Sequence, residues 1–269
     1  MIRIFVGCAP NHEDIESQAV LEWSIRKHAS QPVEIEWMKL SRDPASFWYS
    51  DGQGGGWNTT DWATPFSGFR WSIPARCNFE GRAIYMDSDV IVMGDVAELF
   101  TQRMTPGTVA LAKGGGSWRY CVSLWNCAEA AKHIRSIEWL RSEPAANKTM
   151  ISYFASRPHL TQAFAGDWNC LDGEGHPNLR DGQLKALHYT DMGTQPQLRH
   201  ALPRLAREGR KHWFNGQVRA HPRPDVEALF DELLAEAKAN GYGPERYAQD
   251  EIFGPIPKRS LTGYKGRAA

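Results

Sequence analysis

The sequence contains no apolar run that approaches the ~20 residues needed for a membrane-spanning helix. Residues 1–6 are too short and too strand-like for a signal peptide, and no small-residue cleavage site follows them. We therefore expect a cytoplasmic protein without a transmembrane segment. A basic run near residue 260 leaves peripheral contact with an anionic membrane surface open, although a solvated terminus is the simpler explanation. The run contains Lys258, Arg259, Lys265 and Arg267.

Cysteine is scarce, and its number and spacing argue against a disulfide framework and against a cysteine metal site. Five cysteines are odd in number and lack the spacing of metal ligands, which favours buried, reduced thiols. The formal net charge is +0 and no basic stripe is present, so nucleic acid is not an expected partner. Neither an internal repeat nor a low-complexity linker interrupts the chain. The cysteines are Cys8, Cys77, Cys121, Cys127 and Cys170.

Apolar and aromatic residues, in contrast, are abundant. Apolar residues make up 42% of the 269 residues, enough for the core of one large α/β domain or two small ones. The chain has 11 tryptophans, and several stand in polar, glycine-rich surroundings. Tryptophan rings suit sugar recognition and also fill protein cores, so both roles stay open. The tryptophans in question are Trp48, Trp57, Trp62, Trp118, Trp168 and Trp213.

The start of the chain predicts a parallel strand–helix–strand unit. Residues 2–7 form a β-branched run, residues 13–28 show helical apolar spacing, and residues 33–38 alternate with a period of two. In parallel α/β folds, ligands bind beyond the carboxyl ends of the strands. Gly7 and Cys8, which end the first run, are therefore candidates for ligand binding.

The most informative segment is residues 82–93, where a buried-strand pattern stops at Asp87 and Asp89 and then resumes. Two carboxylates at the end of a buried strand are costly unless a cation or hydrogen bonds compensate them. Hard oxygen ligands suit Mg²⁺ or Mn²⁺, which commonly bridge a protein to a diphosphate. An ordinary β-turn is the alternative, because aspartate and Ser88 both favour turns.

The later segments predict a mixture of short elements and loops. Residues 41–65 lack patterning and are rich in glycine, which indicates a mobile loop over the site or a plain surface insertion. We expect a short helix over residues 67–73 ended by Pro74, and longer helices over residues 128–140 and 225–239. Strands are expected over residues 108–113, 120–126 and 184–190, and Asp95 is a candidate helix cap.

Residues 64–74 and 82–100 resemble glycosyltransferase family 8, which includes glycogenin and bacterial lipopolysaccharide galactosyl- and glucosyltransferases. Members place a helix with Ser or Thr and a following Arg, similar to residues 67–70, before a Tyr-x-Asp-x-Asp strand, similar to residues 85–89. Residues 94–100 are similar to the turn that follows. Residues 122–127 look like the acceptor-side strand, and residues 187–190 look like the late strand with a metal-binding histidine. The resemblance is colinear from residue 1 to about residue 200.

The resemblance implies a GT-A-type α/β fold, with a mostly parallel central sheet flanked by helices and a helical C-terminal region. Residues 1–200 would form the nucleotide-sugar-binding and catalytic domain, and residues 201–269 a helical extension packed on it. Asp87, Asp89 and His188 would hold Mn²⁺, or Mg²⁺, on the donor diphosphate. Arg70 would contact the donor sugar or diphosphate, since guanidinium pairs well with phosphate oxygens. The family also implies retention of anomeric configuration.

The chain departs from the family pattern around the substrates. Residues 119–121 replace an Asn-x-Gly, residues 147–150 replace an Asp-Gln-Asp-like motif, and residues 194–197 replace a Lys-Pro-Trp. Asp167 and Asp172 are candidate catalytic residues instead, with a hydrogen-bonded loop as the simpler alternative for each. Residues 211–216 with His221 could shape an acceptor pocket or form a surface turn. Further donor-binding candidates are Gly7, Cys8, Ser88 and Gln195, and acceptor-binding candidates are Trp118, Arg119, Trp168 and Asn169.

The leading hypothesis is a metal-dependent, retaining glycosyltransferase that moves a hexose from a nucleotide sugar, a UDP-sugar, to a saccharide or glycoside acceptor in bacterial surface glycan synthesis. A nucleotidyltransferase acting on sugar phosphates is one alternative. The sequence lacks the glycine-rich basic phosphate loop that such an enzyme needs after its first strand. A glycan-binding protein that has lost catalysis is the other alternative. The sequence does not indicate the oligomeric state.

Overall fold

The computed structural model describes residues 1–256, which form two β-sheets and the helices that pack on them. The strands are β1 (Ile2–Gly7), β2 (Val33–Met38), β3 (Arg82–Asp87), β4 (Val90–Val92), β5 (Ala110–Lys113), β6 (Arg119–Asn126), β7 (Thr161–Ala163), β8 (Cys170–Leu171) and β9 (Ala186–His188). The α-helices are α1 (Ile15–His28), α2 (Ile73–Arg76), α3 (Val96–Phe100), α4 (Cys127–Ala130), α5 (Ile137–Ser142), α6 (Ala146–Ala155), α7 (Leu198–Arg207) and α8 (Pro224–Ala239).

The larger sheet has six strands in the order β2-β1-β3-β6-β5-β7. Strand β1 pairs in parallel with β2 and β3, and β5 pairs in parallel with β7. Strand β6 runs antiparallel to both of its neighbours. The expected parallel start and the mostly parallel central sheet are therefore confirmed. The carboxyl ends of β1 and β3 lie side by side, because Gly7 pairs with Asp87.

The smaller sheet explains why the apolar run of residues 82–93 is interrupted. After β3 the chain leaves the larger sheet at the Ser88–Asp89 turn and continues as β4 in the smaller sheet. There β4 pairs antiparallel with β9, and β8 pairs in parallel with β9. This register sets His188 opposite Val90. The turn between the two sheets thus brings the late histidine next to the aspartates, although 99 positions separate residues 89 and 188.

Two of the expected helices differ from the structure. Pro74 lies in the first turn of α2, after a 3₁₀ turn over Phe69–Ser72, and does not end a helix. Proline is tolerated there because the first-turn N–H has no helical partner anyway. The expected helix over residues 128–140 is split into α4 and α5. The predicted cap is confirmed, since Asp95 accepts a hydrogen bond from the Ala97 N–H at the start of α3.

The irregular segment of residues 41–65 is anchored by tryptophans. Trp57 stacks on Trp48 with ring centroids 5.9 Å apart, and the edges of Trp57 and Trp62 meet Phe69 at 5.1 and 5.4 Å. All four rings are buried. These tryptophans therefore serve as core, and the exposed residues of the segment are spread over positions 43–45, 51, 53–54, 60–61 and 63.

The C-terminal part of the described chain packs back on the first helix. Helix α8 joins α1 in a shared apolar cluster, and Glu236 pairs with both Trp23 and Lys27. The boundary expected at residue 200 falls inside helix α7. Within residues 1–256, no helix is both long and apolar enough to cross a membrane. The basic run at residues 258–267 lies outside the described residues.

Candidate functional site

A cavity of about 380 Å³ opens where β1 and β3 end. Its wall combines the aspartate turn after β3, the segment before the 3₁₀ turn, and the loop after β9. The lining contains three carboxylates, one guanidinium, several amides and hydroxyls, and apolar faces. The lining residues are Asp14, Ala63, Thr64, Phe66, Ser67, Arg70, Asp87, Ser88, Asp89, Cys121, Thr190, Met192, Gln195, Gln197 and Trp213.

Asp87 is held by two side chains on the floor of this cavity. The Tyr85 hydroxyl donates to its Oδ1, and Arg70 Nη2 lies 3.1 Å from Oδ1 and 3.4 Å from Oδ2. Although burial lowers the pKa of Arg70, the Asp87 carboxylate outweighs it and leaves that pKa raised. Gly7 makes room for this arrangement, since a Cβ there would lie 2.6 Å from the Tyr85 hydroxyl. Asp87 is thus already charge-compensated by Arg70.

Asp89 and His188 form the second part of the site. Asp89 Oδ1 lies 3.2 Å from His188 Nε2, and among residues 1–256 neither buried atom has a hydrogen-bond partner. The Asp89 Oδ2 atom accepts from Gln195 Nε2 at 2.7 Å. Burial raises the pKa of Asp89, against the opposing effect of His188. A carboxylate oxygen and an imidazole nitrogen therefore lie within ion-pair distance, in an orientation that makes no hydrogen bond between them.

The orientation of His188 is set from behind by Asn169. His188 Nδ1 lies 2.9 Å from Asn169 Oδ1, and the Asn169 amide donates to the Arg119 carbonyl at 3.3 Å. This network requires a proton on Nδ1, so in the neutral imidazole the Nε2 lone pair faces Asp89. Although burial lowers the pKa of His188, Asp89 outweighs it and leaves that pKa raised, so a bound cation would take the place of the second ring proton. Metal-ligating histidines are commonly fixed in this way by a partner on the other ring nitrogen.

These residues fit a divalent cation. Two ligands that are adjacent on an octahedral cation with bonds of about 2.1 Å stand about 3 Å apart, close to the 3.2 Å between Asp89 Oδ1 and His188 Nε2. Oxygen and imidazole ligands suit Mn²⁺ or Mg²⁺. Among residues 1–256, the cavity lining sets the three carboxyl groups of Asp14, Asp87 and Asp89 against one guanidinium, that of Arg70, so a cation would also offset negative charge.

Cys121 is the remaining polarisable group near this point. Its Sγ lies within 4.8 Å of ligand atoms of Asp87 and His188, and 3.8 Å from Arg70 Nη1. Burial raises the pKa of the Cys121 thiol to about 12. Because the thiolate is the form that binds metals, Cys121 is a poor ligand beside the carboxylates.

Asp14 is a cavity residue that the sequence did not reveal. Its Oδ2 accepts from the Ala9 N–H at 2.8 Å and from the Ser88 hydroxyl at 3.1 Å, so it ties the loop after β1 to the aspartate turn. Asp14 directly precedes helix α1, where aspartate normally indicates a cap. Its side chain makes no capping hydrogen bond in this structure. Interpreting Asp14 as a helix cap would therefore miss its contact with the aspartate turn.

The cavity gathers some of the predicted donor residues and omits others. Arg70, Ser88 and Gln195 line it, as do both aspartates, and His188 lies directly behind Asp89. Gly7 supports the floor from below. Cys8 does not line the cavity, because its fully buried thiol faces the carbonyls of Val6 and Met38.

The predicted acceptor and catalytic residues lie outside the cavity. Trp168 is buried in the core, Asn169 supports His188, Trp118 packs against the aromatic core, and Arg119 pairs with Glu174 at 2.7 Å. Asp167 pairs with Lys113 at 2.9 Å and with His176 at 3.1 Å. Asp172 pairs with His221 at 3.2 Å. Arg119, Asp167 and Asp172 thus tie together the segments before and after β8 through ion pairs, and none of the six residues lines the cavity.

Comparison with known proteins places the fold. No family model matches the chain. The chain is 28% identical over 214 residues to Protein CDI of Arabidopsis thaliana, covering 71% of this chain and 78% of that protein. This likeness lies below the identity at which a shared activity can be taken for granted.

Solved glycosyltransferase structures share the architecture at low identity. The galactosyltransferase LgtC, determined with donor and acceptor sugar analogues, matches with a TM-score of 0.56 at 12% identity over 88% of this chain and 96% of its own. GlyE of Streptococcus pneumoniae TIGR4 matches with a TM-score of 0.55 at 15% identity, over 90% of this chain and 64% of the GlyE chain. The bifunctional glycosyltransferase WbbM matches with a TM-score of 0.52 at 16% identity over 72% of this chain, and the match spans only 46% of the WbbM chain. The chain thus has the GT-A-type fold expected from its sequence.

Proposed function

We propose that this protein is a metal-dependent glycosyltransferase that moves a hexose from a nucleotide sugar, a UDP-hexose, to a saccharide or glycoside acceptor. The observation that carries the proposal is a pair of buried atoms, Asp89 Oδ1 and His188 Nε2, which lie 3.2 Å apart at the edge of a cavity of about 380 Å³ and form no hydrogen bond with any atom of residues 1–256. The fold shared with LgtC, whose structure holds donor and acceptor sugar analogues, supports it. We further propose retention of configuration and a role in bacterial surface glycan synthesis, on the family resemblance.

In this proposal Asp89 and His188 hold Mn²⁺ or Mg²⁺, with Asp87 beside them. The cation supplies neutralisation of the charge that develops on the leaving nucleotide diphosphate. Arg70 stands on the same side of the cavity and adds positive charge that is already oriented by Asp87. Asn169 keeps His188 in the tautomer that can ligate.

Two glutamines complete the polar wall. Gln195 donates to Asp89 at 2.7 Å, and Gln197 donates to Gln195 Oε1 at 2.7 Å. The Gln197 Oε1 atom is buried on the cavity wall with no hydrogen-bond partner among residues 1–256. Sugar hydroxyls are donors that could satisfy it, because a buried acceptor gains most from a matching group. The relay would thus orient the metal ligand and the donor sugar together.

Isothermal titration with UDP and with GDP, each with and without Mn²⁺, tests the proposal. We expect UDP binding that depends on Mn²⁺ in the native protein and is lost in Asp89→Asn. Asp95→Asn is the matched control, because Asp95 caps α3 away from the cavity and should leave binding unchanged. Absence of nucleotide binding in the native protein, or unchanged binding in Asp89→Asn, would contradict the proposal.

Turnover separates the enzyme from its alternatives. A glycosyltransferase should hydrolyse one of a series of UDP-hexoses slowly in the absence of an acceptor, and NMR of the released sugar would report retention or inversion. Metal-dependent nucleotide binding without any hydrolysis would favour a binding protein. Release of pyrophosphate from UTP and a sugar phosphate would favour a nucleotidyltransferase.

A further inference from the structure

A second cavity, of about 330 Å³, lies next to the first, and Trp213 lines both. Its wall is built from the loop after β1, the segment at residues 210–213 and residues 252–256. We call it the basic pocket, after Arg210, Lys211 and His212 in its lining. His212 also links the two cavities, since its Nε2 stands 3.8 Å from Oδ1 of Asp14.

The basic pocket offers hydrogen-bond donors that the described residues do not use. His212 Nδ1 accepts from the Phe214 N–H at 3.0 Å, so the ring proton is on the buried Nε2, which has no hydrogen-bond partner in residues 1–256. Arg210 Nη1 pairs with Glu208 at 2.7 Å, whereas its Nη2 has no partner within the same range. Lys211 is exposed and forms no ion pair with any described residue.

Glu13 is the carboxyl group in the lining of this pocket, and its surroundings disfavour the charged form. The residue is 3% exposed, and its Oε2 has no hydrogen-bond partner within residues 1–256. Burial, reinforced by the neighbouring Asp14, raises the pKa of Glu13 to about 9. At neutral pH its carboxyl is therefore protonated, and it does not cancel the positive charge of Lys211.

We propose that the basic pocket binds the acidic part of an anionic saccharide, so that the acceptor of the proposed glycosyl transfer carries a carboxylate or a phosphate. Unused donors and a net positive lining select a group that only accepts hydrogen bonds. Trp213, half-buried between the two cavities, supplies an apolar face for the sugar ring. The assignment of this ligand as the acceptor rests on the proposed function, whereas its binding does not.

Binding is measured with the full chain by isothermal titration in EDTA without nucleotide, using glucose, glucuronate, glucose 6-phosphate and inorganic phosphate as probes. We expect the two acidic sugars to bind about two- to five-fold more tightly than glucose, a gain typical of an exposed ammonium. Lys211→Met should remove that preference. Lys238→Met removes the same charge from the end of α8, in the lining of neither cavity, and should leave it intact.

The outcomes separate this inference from the proposed function. Equal binding of glucose and glucuronate, or an unchanged preference in Lys211→Met, would overturn the basic pocket as a site for acidic sugars. If inorganic phosphate bound as tightly as glucose 6-phosphate, the sugar ring would add nothing to binding, and the contact proposed between that ring and Trp213 would be wrong. Because the titration contains neither metal nor nucleotide, a positive result stands even if the UDP titration fails.

Discussion

Replacing Asn169 with alanine tests the metal site without removing a proposed ligand. Asn169 is fully buried and holds His188 Nδ1 at 2.9 Å, while Asp89 faces the other ring nitrogen. Without this partner, the imidazole can rotate or carry its proton on Nε2, which blocks ligation. The substitution should therefore weaken Mn²⁺ binding while Asp87, Asp89 and His188 all remain in place.

The magnitude follows from the contacts that are lost. Removing the hydrogen-bond partner of a ligating histidine typically weakens metal binding about 10- to 100-fold, or about 1.4–2.7 kcal/mol. The same change leaves His188 Nδ1 and the Arg119 carbonyl without the Asn169 amide, at a cost of about 1–3 kcal/mol each in unfolding free energy. We expect both effects in Asn169→Ala, the first in a Mn²⁺ titration at saturating UDP and the second in urea denaturation.

Two further variants make the result decisive. Asn169→Asp keeps an acceptor for the Nδ1 proton and should bind Mn²⁺ within a few-fold of the native protein. Asn240→Ala, at the exposed end of α8, should change neither measurement much. Native Mn²⁺ affinity in Asn169→Ala, at a Mn²⁺ concentration where the native protein responds, would refute the role assigned to His188.

Three other substitutions test the surroundings of the site. Gly7→Ala places a Cβ 2.6 Å from the Tyr85 hydroxyl and should cost about 1–3 kcal/mol in urea denaturation; an unchanged midpoint would show that the floor yields easily. Arg70→Met leaves a buried carboxylate without its cation and should cost about 3–5 kcal/mol by the same measurement; a loss of less than about 1 kcal/mol would mean that the ion pair is weak. The hydrogen bond to Asp181 raises the pKa of His176. The stability that this ion pair contributes is therefore full below about pH 6.5 and is lost as the pH rises through the raised pKa of His176. His176→Asn should therefore lower the melting temperature more at pH 6 than at pH 9, and an equal loss at both would count against this ion pair.

Local patterns in the sequence were enough to predict the elements that carry the site. The β-branched runs at β1 and β3, the period-two run at β2 and the cap of α3 depend on neighbours within a few positions, and all four appear in the structure. Helix α1 follows for the same reason. Failures occurred where a local signal has two meanings, as at Pro74, which can begin or end a helix.

The tryptophans and the loop aspartates show the limit of such reasoning. Trp57 stands among glycines in the sequence, yet four aromatic rings pack around it and bury it. Asp167 and Asp172 have the chemistry of catalytic carboxylates, but Lys113 and His221 lie close enough to pair with them. The pairing of these carboxylates depends on residues about 50 positions away, and the burial of Trp57 depends on how its loop folds back on itself; composition records neither.

The sequence by itself determined which functional groups stand at the ends of which strands: two carboxylates follow a buried strand, and a histidine ends a late strand. Only the tertiary structure decided what these groups do together. The turn at Ser88 moves the chain between two sheets, and the pairing of Val90 with His188 brings an imidazole to 3.2 Å from Asp89. Asn169 then sets the tautomer, and Asp14 enters from a position that looks like a helix cap. The physical reason is that ligation and charge balance depend on distances between atoms, which the fold sets across many intervening residues.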